Sequence, residues 1–234
     1  MPELIEFEWG RCPDGYELVR PPPRLRIRDP FPSVRMVTLT QWTVPGAPNL
    51  FIKAKSARFE RYRPLDRCPV LFDRFSKCPA TADGMLAFCN EFGFLGTSYK
   101  DSRMGDQASI IIGDLLAHHE QMRSALSSFE RGNSSRLVEA CNEGGLAASR
   151  IELRKDRQGR LSIVLAPLNL IQAMWLQFAR YAGSETRLMR CASCNGAIIV
   201  GPGTGKRNTS KYCSDACRVA AFKARKRSRE GADL

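Results

Sequence analysis

The sequence predicts an α+β chain in three segments, and three observations carry that reading. Twelve of the 14 prolines fall within residues 1–79, among short runs of β-branched and aromatic residues. Helical spacing of apolar residues takes over at residues 80–186, interrupted by one hairpin pattern. Residues 187–234 combine two close cysteine pairs with a dense set of Lys and Arg. At 234 residues, 43% hydrophobic and 26% charged, the chain is long enough for a real core and a small second domain.

In the first segment the prolines argue against any long helix. Pro21-Pro22-Pro23 reads as an extended spacer. Residues 33–40 and 50–62, rich in Val, Thr, Ile and Phe, read as strands on either side of the loop at 45–48. The expectation is a small, partly irregular β unit over 1–79. In the second segment, Met85, Leu86, Cys89 and Phe92 mark a helix over 83–92 that stops at Gly93. The clearest helix is expected over 106–131, its stripe running through Ile111, Ile112, Leu115, Leu116, His119, Met122, Leu126 and Phe129 to Gly132. A shorter helix follows over 134–143. Residues 151–154 and 161–165, flanking a polar loop with Gly159, predict a hairpin. Pro167 then suits the first position of a helix to about residue 181, with Leu168, Ile171, Trp175 and Phe178 inward.

The third segment carries the chemistry. Cys191-Ala-Ser-Cys194 and Cys213-Ser-Asp-Ala-Cys217 are two local pairs of soft ligands. Four thiolates can close a tetrahedron around Zn²⁺ at about 2.3 Å per bond, leaving no open position for water, so the expected role of the metal is structural. The first pair suits a knuckle turn, with Gly196 letting the chain double back into residues 197–200. The second sits one helical turn apart, with Ser214 placed to cap the helix. Knuckle, hairpin, then a helix bearing the last ligand is a treble-clef arrangement. Residues 200–206 approximate a phosphate loop, but Val200 stands where Gly is required and Arg207 where Ser or Thr is, so this reads as a basic loop instead.

Charge is concentrated in the same place. Residues 187–234 hold 11 Lys/Arg against three acids, hence +8 of the chain's formal +12. On a helix over 215–229, Cys217, Ala220, Ala221 and Ala224 share one side, expected to pack on the hairpin and metal, while Arg218, Phe222, Arg225 and Arg229 share the other. Lys223, Lys226 and Arg227 widen the basic surface. Such a surface suits a polyanion, with an aromatic available to stack on bases.

The run from Arg190-Cys191-x-x-Cys194 through Arg207-Asn208-Thr209-Ser210-Lys211-Tyr212-Cys213-Ser214 to Cys217-Arg218 and a basic helix resembles the CGNR-type zinc finger. In bacteria that finger ends proteins carrying an ABATE domain, regarded as stress-responsive transcription regulators. The resemblance covers residues 190–227, with a helix leading into the first cysteine pair as in the family's layout. It departs at Cys217-Arg218-Val219-Ala220, where the family has Cys-Gly-Asn-Arg, and in the spacing of Cys213 and Cys217, where the family usually has one more residue. It implies Cys191, Cys194, Cys213 and Cys217 as Zn²⁺ ligands, and the Arg207, Asn208 and Lys211 loop with the Arg218 and Arg225 helix face as the DNA contact; the basic loop and helix surface add Lys206, Phe222, Lys226 and Arg229 to the expected nucleic-acid contact. The helical domain then serves as the sensor or homodimerisation part.

Other chemistries find little. His118 and His119 are the only histidines, adjacent and about 100° apart on a helix, and neither a His-Glu-x-x-His nor a Gly-x-Ser-x-Gly pattern occurs. No catalytic or small-molecule cofactor site is expected. Cys12, Cys68 and Cys78 each precede a proline, a pattern that can ligate haem through thiolate but also arises by chance in a proline-rich segment. No apolar run approaches a membrane span, and the N-terminus has no apolar signal core, so a cytoplasmic protein with no membrane partner is expected. The leading expectation is a DNA-binding regulator. An RNA- or ribosome-associated zinc protein and a protein-interaction adaptor are the alternatives.

Overall fold

Three prolines of the N-terminal segment punctuate helices instead of preventing them. In the computed structural model, which describes residues 7–20, 50–96, 109–142, 150–155, 159–202 and 204–230, Pro64 opens α1 (Pro64–Arg67) at its first turn, where no N–H is needed. Pro69 precedes α2 (Leu71–Lys77), and Pro79 follows it directly after its C-cap, Cys78. The expected β unit over 1–79 therefore also contains two short helices. The strand expected over 33–40, with Trp42, lies outside the described residues.

The expected strand over 50–62 is two strands. β3 (Phe51–Ala54) pairs with β2 (Tyr16–Val19), whereas β4 (Glu60–Tyr62) pairs with β1 (Trp9–Arg11), so the chain must change sheets between them. Ser56 holds that crossing: its Oγ donates to Asp14 Oδ2 at 2.5 Å and accepts from Arg58 N–H at 3.3 Å. A third strand, β5 (Ser109–Ile111), adds to β3 with Ile111 opposite Phe51, completing an antiparallel β2-β3-β5 sheet. Ile111 was expected on the helix; the ladder to β3 claims it, and α4 (Ile112–Glu130) starts one residue later.

α3 (Ala82–Phe92) is capped by Thr81, whose side chain accepts from Gly84 N–H at 3.1 Å, and ends at Gly93 with φ 83°. The core of this unit gathers Leu71, Phe72 and Phe75 of α2, Met85 and Phe88 of α3, and Ile112, Leu115 and Met122 of α4, with Trp9, Tyr16 and Ile52 from the strands. Polar tips of the aromatics are satisfied at the end of α3. Trp9 Nε1 donates to Phe94 O at 2.7 Å, and Tyr62 Oη donates to Phe92 O at 2.6 Å. α5 (Ser135–Ala140) packs on α4, and β6 (Arg150–Lys155) pairs with β7 (Leu161–Ala166) as a hairpin that is a two-stranded sheet among the described residues.

α6 (Leu170–Ala182) begins three residues after Pro167, not at it. Asn169 and Gln172 set the start: Asn169 Oδ1 accepts from Gln172 N–H at 2.9 Å, and Gln172 Oε1 accepts from Leu168 N–H at 2.8 Å, a reciprocal cap. The chain forms two compact units, Met1–Leu176 and Gln177–Leu234, so the division falls within this helix. The second unit contains β8 (Arg187–Arg190), β9 (Ala197–Val200) and α7 (Asp215–Glu230). The described architecture is α+β. Among the described residues, no helix is long and apolar enough to cross a membrane.

Candidate metal centre and basic cleft

β8 and β9 pair antiparallel, with Arg190 opposite Ala197, and residues 191–196 between them form a tight knuckle. Cys191 is thus entered from a strand, where the family layout placed a helix, because the chain leaves α6 early enough to build β8. Inside the knuckle, Asn195 N–H donates to Cys191 O at 2.9 Å, and Cys191 N–H donates to Gly196 O at 2.8 Å. Gly196 was expected to let the chain double back, and the left-handed residue of this turn is its neighbour Asn195, with φ 57°. Asn is among the few side chains that tolerate this region. Gly196 matters for space, since a Cβ there would lie 3.2 Å from Cys194 Sγ.

The second cysteine pair is stitched to the first by backbone. Ala192 N–H donates to Lys211 O at 2.9 Å, and Cys213 N–H points at Cys191 Sγ, 3.4 Å away. Ser214 caps α7 by accepting from Cys217 N–H at 3.2 Å, so the same bond that starts the helix fixes the last thiol. All four sulfurs, of Cys191, Cys194, Cys213 and Cys217, lie within 4.8 Å of one another. Cys194 and Cys213 are 3.6 Å apart, and Cys213 and Cys217 are 3.3 Å apart. These are too long for disulfides, at about 2.05 Å. They approach the roughly 3.8 Å edge of a tetrahedron with 2.3 Å metal–sulfur bonds. The donor set is therefore compatible with a structural metal ion.

The electrostatics of the bare thiols agree with that role. At Cys191 desolvation works against the thiolate, but the N–H groups of Cys194, Cys213 and Ser193 outweigh it and draw the pKa down to about 6. At Cys213 the hydrogen bond with Cys217, helped by desolvation, pushes the pKa up to about 12. Several thiolates this close repel one another, and a cation among them removes the conflict.

Four of the residues singled out as nucleic-acid contacts converge beside this cluster. Lys206, Arg207, Lys211 and Arg218 line one surface cleft, together with Ser210, Tyr212, Ser214 and Asp215. Thr204 shapes its rim: its Oγ1 donates to Gly201 O at 2.8 Å and accepts from Lys206 N–H at 3.1 Å, turning the basic loop back on itself. Asp215 forms an ion pair with Arg218 at 3.1 Å. Neither Asp215 nor Thr204 was singled out in the sequence. An acid in the first helical turn three residues before an Arg is a readable signal for the first. Thr204 was hidden by the resemblance of its loop to a phosphate-binding motif.

The remaining candidates are not drawn into the cleft. Asn208 is exposed outside it. Phe222 is 60% exposed further along α7, and Arg225 Nε donates to Ala221 O at 3.3 Å within the same helix. Lys226 and Arg229 lie on α7, with side chains outside the description. The alanine side of α7 does not pack as expected: Ala220 and Ala224 are exposed and Ala221 is half-buried. The reason is the size of the core, which consists of Cys191, Ile198 and Val200 with Met189, Tyr212, Cys213 and Cys217 against it, and so reaches only the first turn of the helix. Compared with known proteins, the chain matches no family model, no curated protein and no solved structure.

Proposed function

We propose that residues 187–234 are a treble-clef finger holding a structural Zn²⁺ and that this finger binds nucleic acid, duplex DNA in preference to RNA. The whole chain then acts as a cytoplasmic transcription regulator of bacterial, CGNR-like type. One observation carries the reading: four cationic side chains, of Lys206, Arg207, Lys211 and Arg218, line a single cleft beside four clustered thiols. Thiolate ligands in two local pairs select Zn²⁺ over the hard cations, and four of them leave no vacancy for catalysis. Cations held on a metal-tied scaffold meet phosphates without first losing much loop freedom. A single finger spans few base pairs, so the regulator works as a homodimer.

A salt titration of the zinc-loaded full chain on duplex DNA, single-stranded DNA and structured RNA tests this. Duplex binding is expected, and the double variant Arg207→Ala/Lys211→Ala is expected to flatten the log K against log salt slope by about 2, one per lost phosphate contact. Failure to bind any nucleic acid at low salt, or an unchanged slope in the folded variant, refutes it. A second reading, in which the finger binds single-stranded or structured RNA, is favoured by exposed Phe222, whose ring is available to stack on an unpaired base. In that case single strands outcompete the duplex, and Phe222→Ala weakens them selectively.

A further inference from the structure

The hairpin β6–β7 is built inside out. Alternate residues of a ribbon share a face, and the register sets Ile151 opposite Leu165, Leu153 opposite Ile163 and Lys155 opposite Leu161. One face is therefore aliphatic except for Lys155 at its end. On the other face Val164 and Ala166 are buried. A half-buried hairpin ordinarily turns its apolar face inward. Here Ile151, Leu153, Leu161, Ile163 and Leu165 are instead between 43% and 75% exposed.

We propose that this face is the homodimer interface of the protein, covered by the same face of a second copy across a two-fold axis. Five such side chains in register make a continuous patch on the order of 500 Å², at the level where exposed apolar surface marks an interaction site. Two copies face to face bury on the order of 1,000 Å², which reaches the lower bound for a specific interface. The patch carries no charge among these five residues with which to choose a different partner, and aliphatic faces of equal shape interdigitate when sheets stack about 10 Å apart. Pairing by strand edges alone would leave the face wet, so the faces stack. A lipid surface is a poorer match, because the five residues include no Trp or Tyr to sit at the headgroup level. This inference concerns pairing only and stands whether or not the finger binds nucleic acid.

Sedimentation and light scattering of the zinc-loaded full chain, without nucleic acid and over a range of concentrations, decide it. The wild type is expected to be a dimer. Ile163→Glu is expected to weaken association at least tenfold, while Val138→Glu, which changes an exposed apolar residue on α5, leaves it unchanged. Far-UV spectra and metal content of both variants are expected to match the wild type, since neither site is buried. As a second measurement, Leu153→Cys near the proposed axis is expected to form an intermolecular disulfide under mild oxidation. A monomeric wild type overturns the proposal. So does a dimer that Ile163→Glu does not weaken, or a monomer that sediments with acidic phospholipid vesicles through this face.

Discussion

At the scale of single residues, His119 shows how a neutral core position becomes a pH liability. It lies on the buried stripe of α4, with Nε2 3.0 Å from Cys78 O and its ring edge-on to Phe75 at 5.6 Å. Burial, the dominant effect, lowers its pKa below the ordinary 6.5; the carbonyl of Cys78 opposes this and Arg123 adds to it. His118 is lowered by burial as well. The unfolded chain therefore takes up protons that the fold resists, so stability is full above the ordinary imidazole pKa and falls as the pH drops below it. Urea midpoints at about pH 7.5 and pH 5.5 are expected to show that loss, and His119→Gln is expected to reduce it. An equal loss in the variant would remove His119 from the account. The stripe that contains His119 was readable from helical spacing. The left-handed Asn195 was not, because Asn-Gly in a knuckle offers two residues able to turn and only the space beside Cys194 Sγ separates their roles.

At the scale of elements, caps decide where helices begin. Ser214 serves both α7 and the thiol of Cys217, so Ser214→Ala is expected to cost the finger about 1 kcal/mol and to lower metal affinity roughly fivefold. Competition with a chelating dye measures the second effect, and an unchanged affinity would show that the knuckle alone holds the ligand geometry. The helix over 83–92 and the hairpin at 150–166 could be read in the sequence because local period, Gly93 and Gly159 all agreed. Elsewhere long-range pairing overrode local pattern. Ile111 fits a helical stripe but sits opposite Phe51 in a ladder, and no nearby residue announces that partner. Pro167 invited a helix start, yet the Asn169–Gln172 cap was the better signal and stood only two residues further on.

At the scale of the molecule, the two units rest on different kinds of core. The first buries aromatic and aliphatic side chains from several helices and strands, whereas the buried residues described in the second are Phe178 of α6 and, in the finger, only Ile198, Val200 and the candidate metal ligand Cys191. A finger core so small is expected to need the metal ion that its four clustered thiols could hold. Chelation is expected to melt the second unit alone. All three tryptophans lie in residues 1–176, so their fluorescence should hold while far-UV helix signal from α7 falls. Loss of both signals together would mean that the metal supports the entire chain. The four thiols of this candidate site were legible from spacing alone. The cleft was legible only in part, since its charges come from the basic loop, from Lys211 before Cys213 and from the first turn of α7, and their convergence depends on the backbone bonds that stitch the two cysteine pairs together.

The sheet order β2-β3-β5 also sets a timetable for biosynthesis. β3 receives β2 from upstream, but its other edge is closed by Ser109–Ile111, and Leu50 O accepts from Ile112 N–H at 2.9 Å. A nascent chain that has not yet delivered these residues holds β3 with an open edge, the kind of surface that recruits stray strands. Translation must therefore run well past β3, through Ile111, before this three-stranded sheet is sealed. Pauses upstream of that point expose the chain to misassembly, and pauses downstream of it do not.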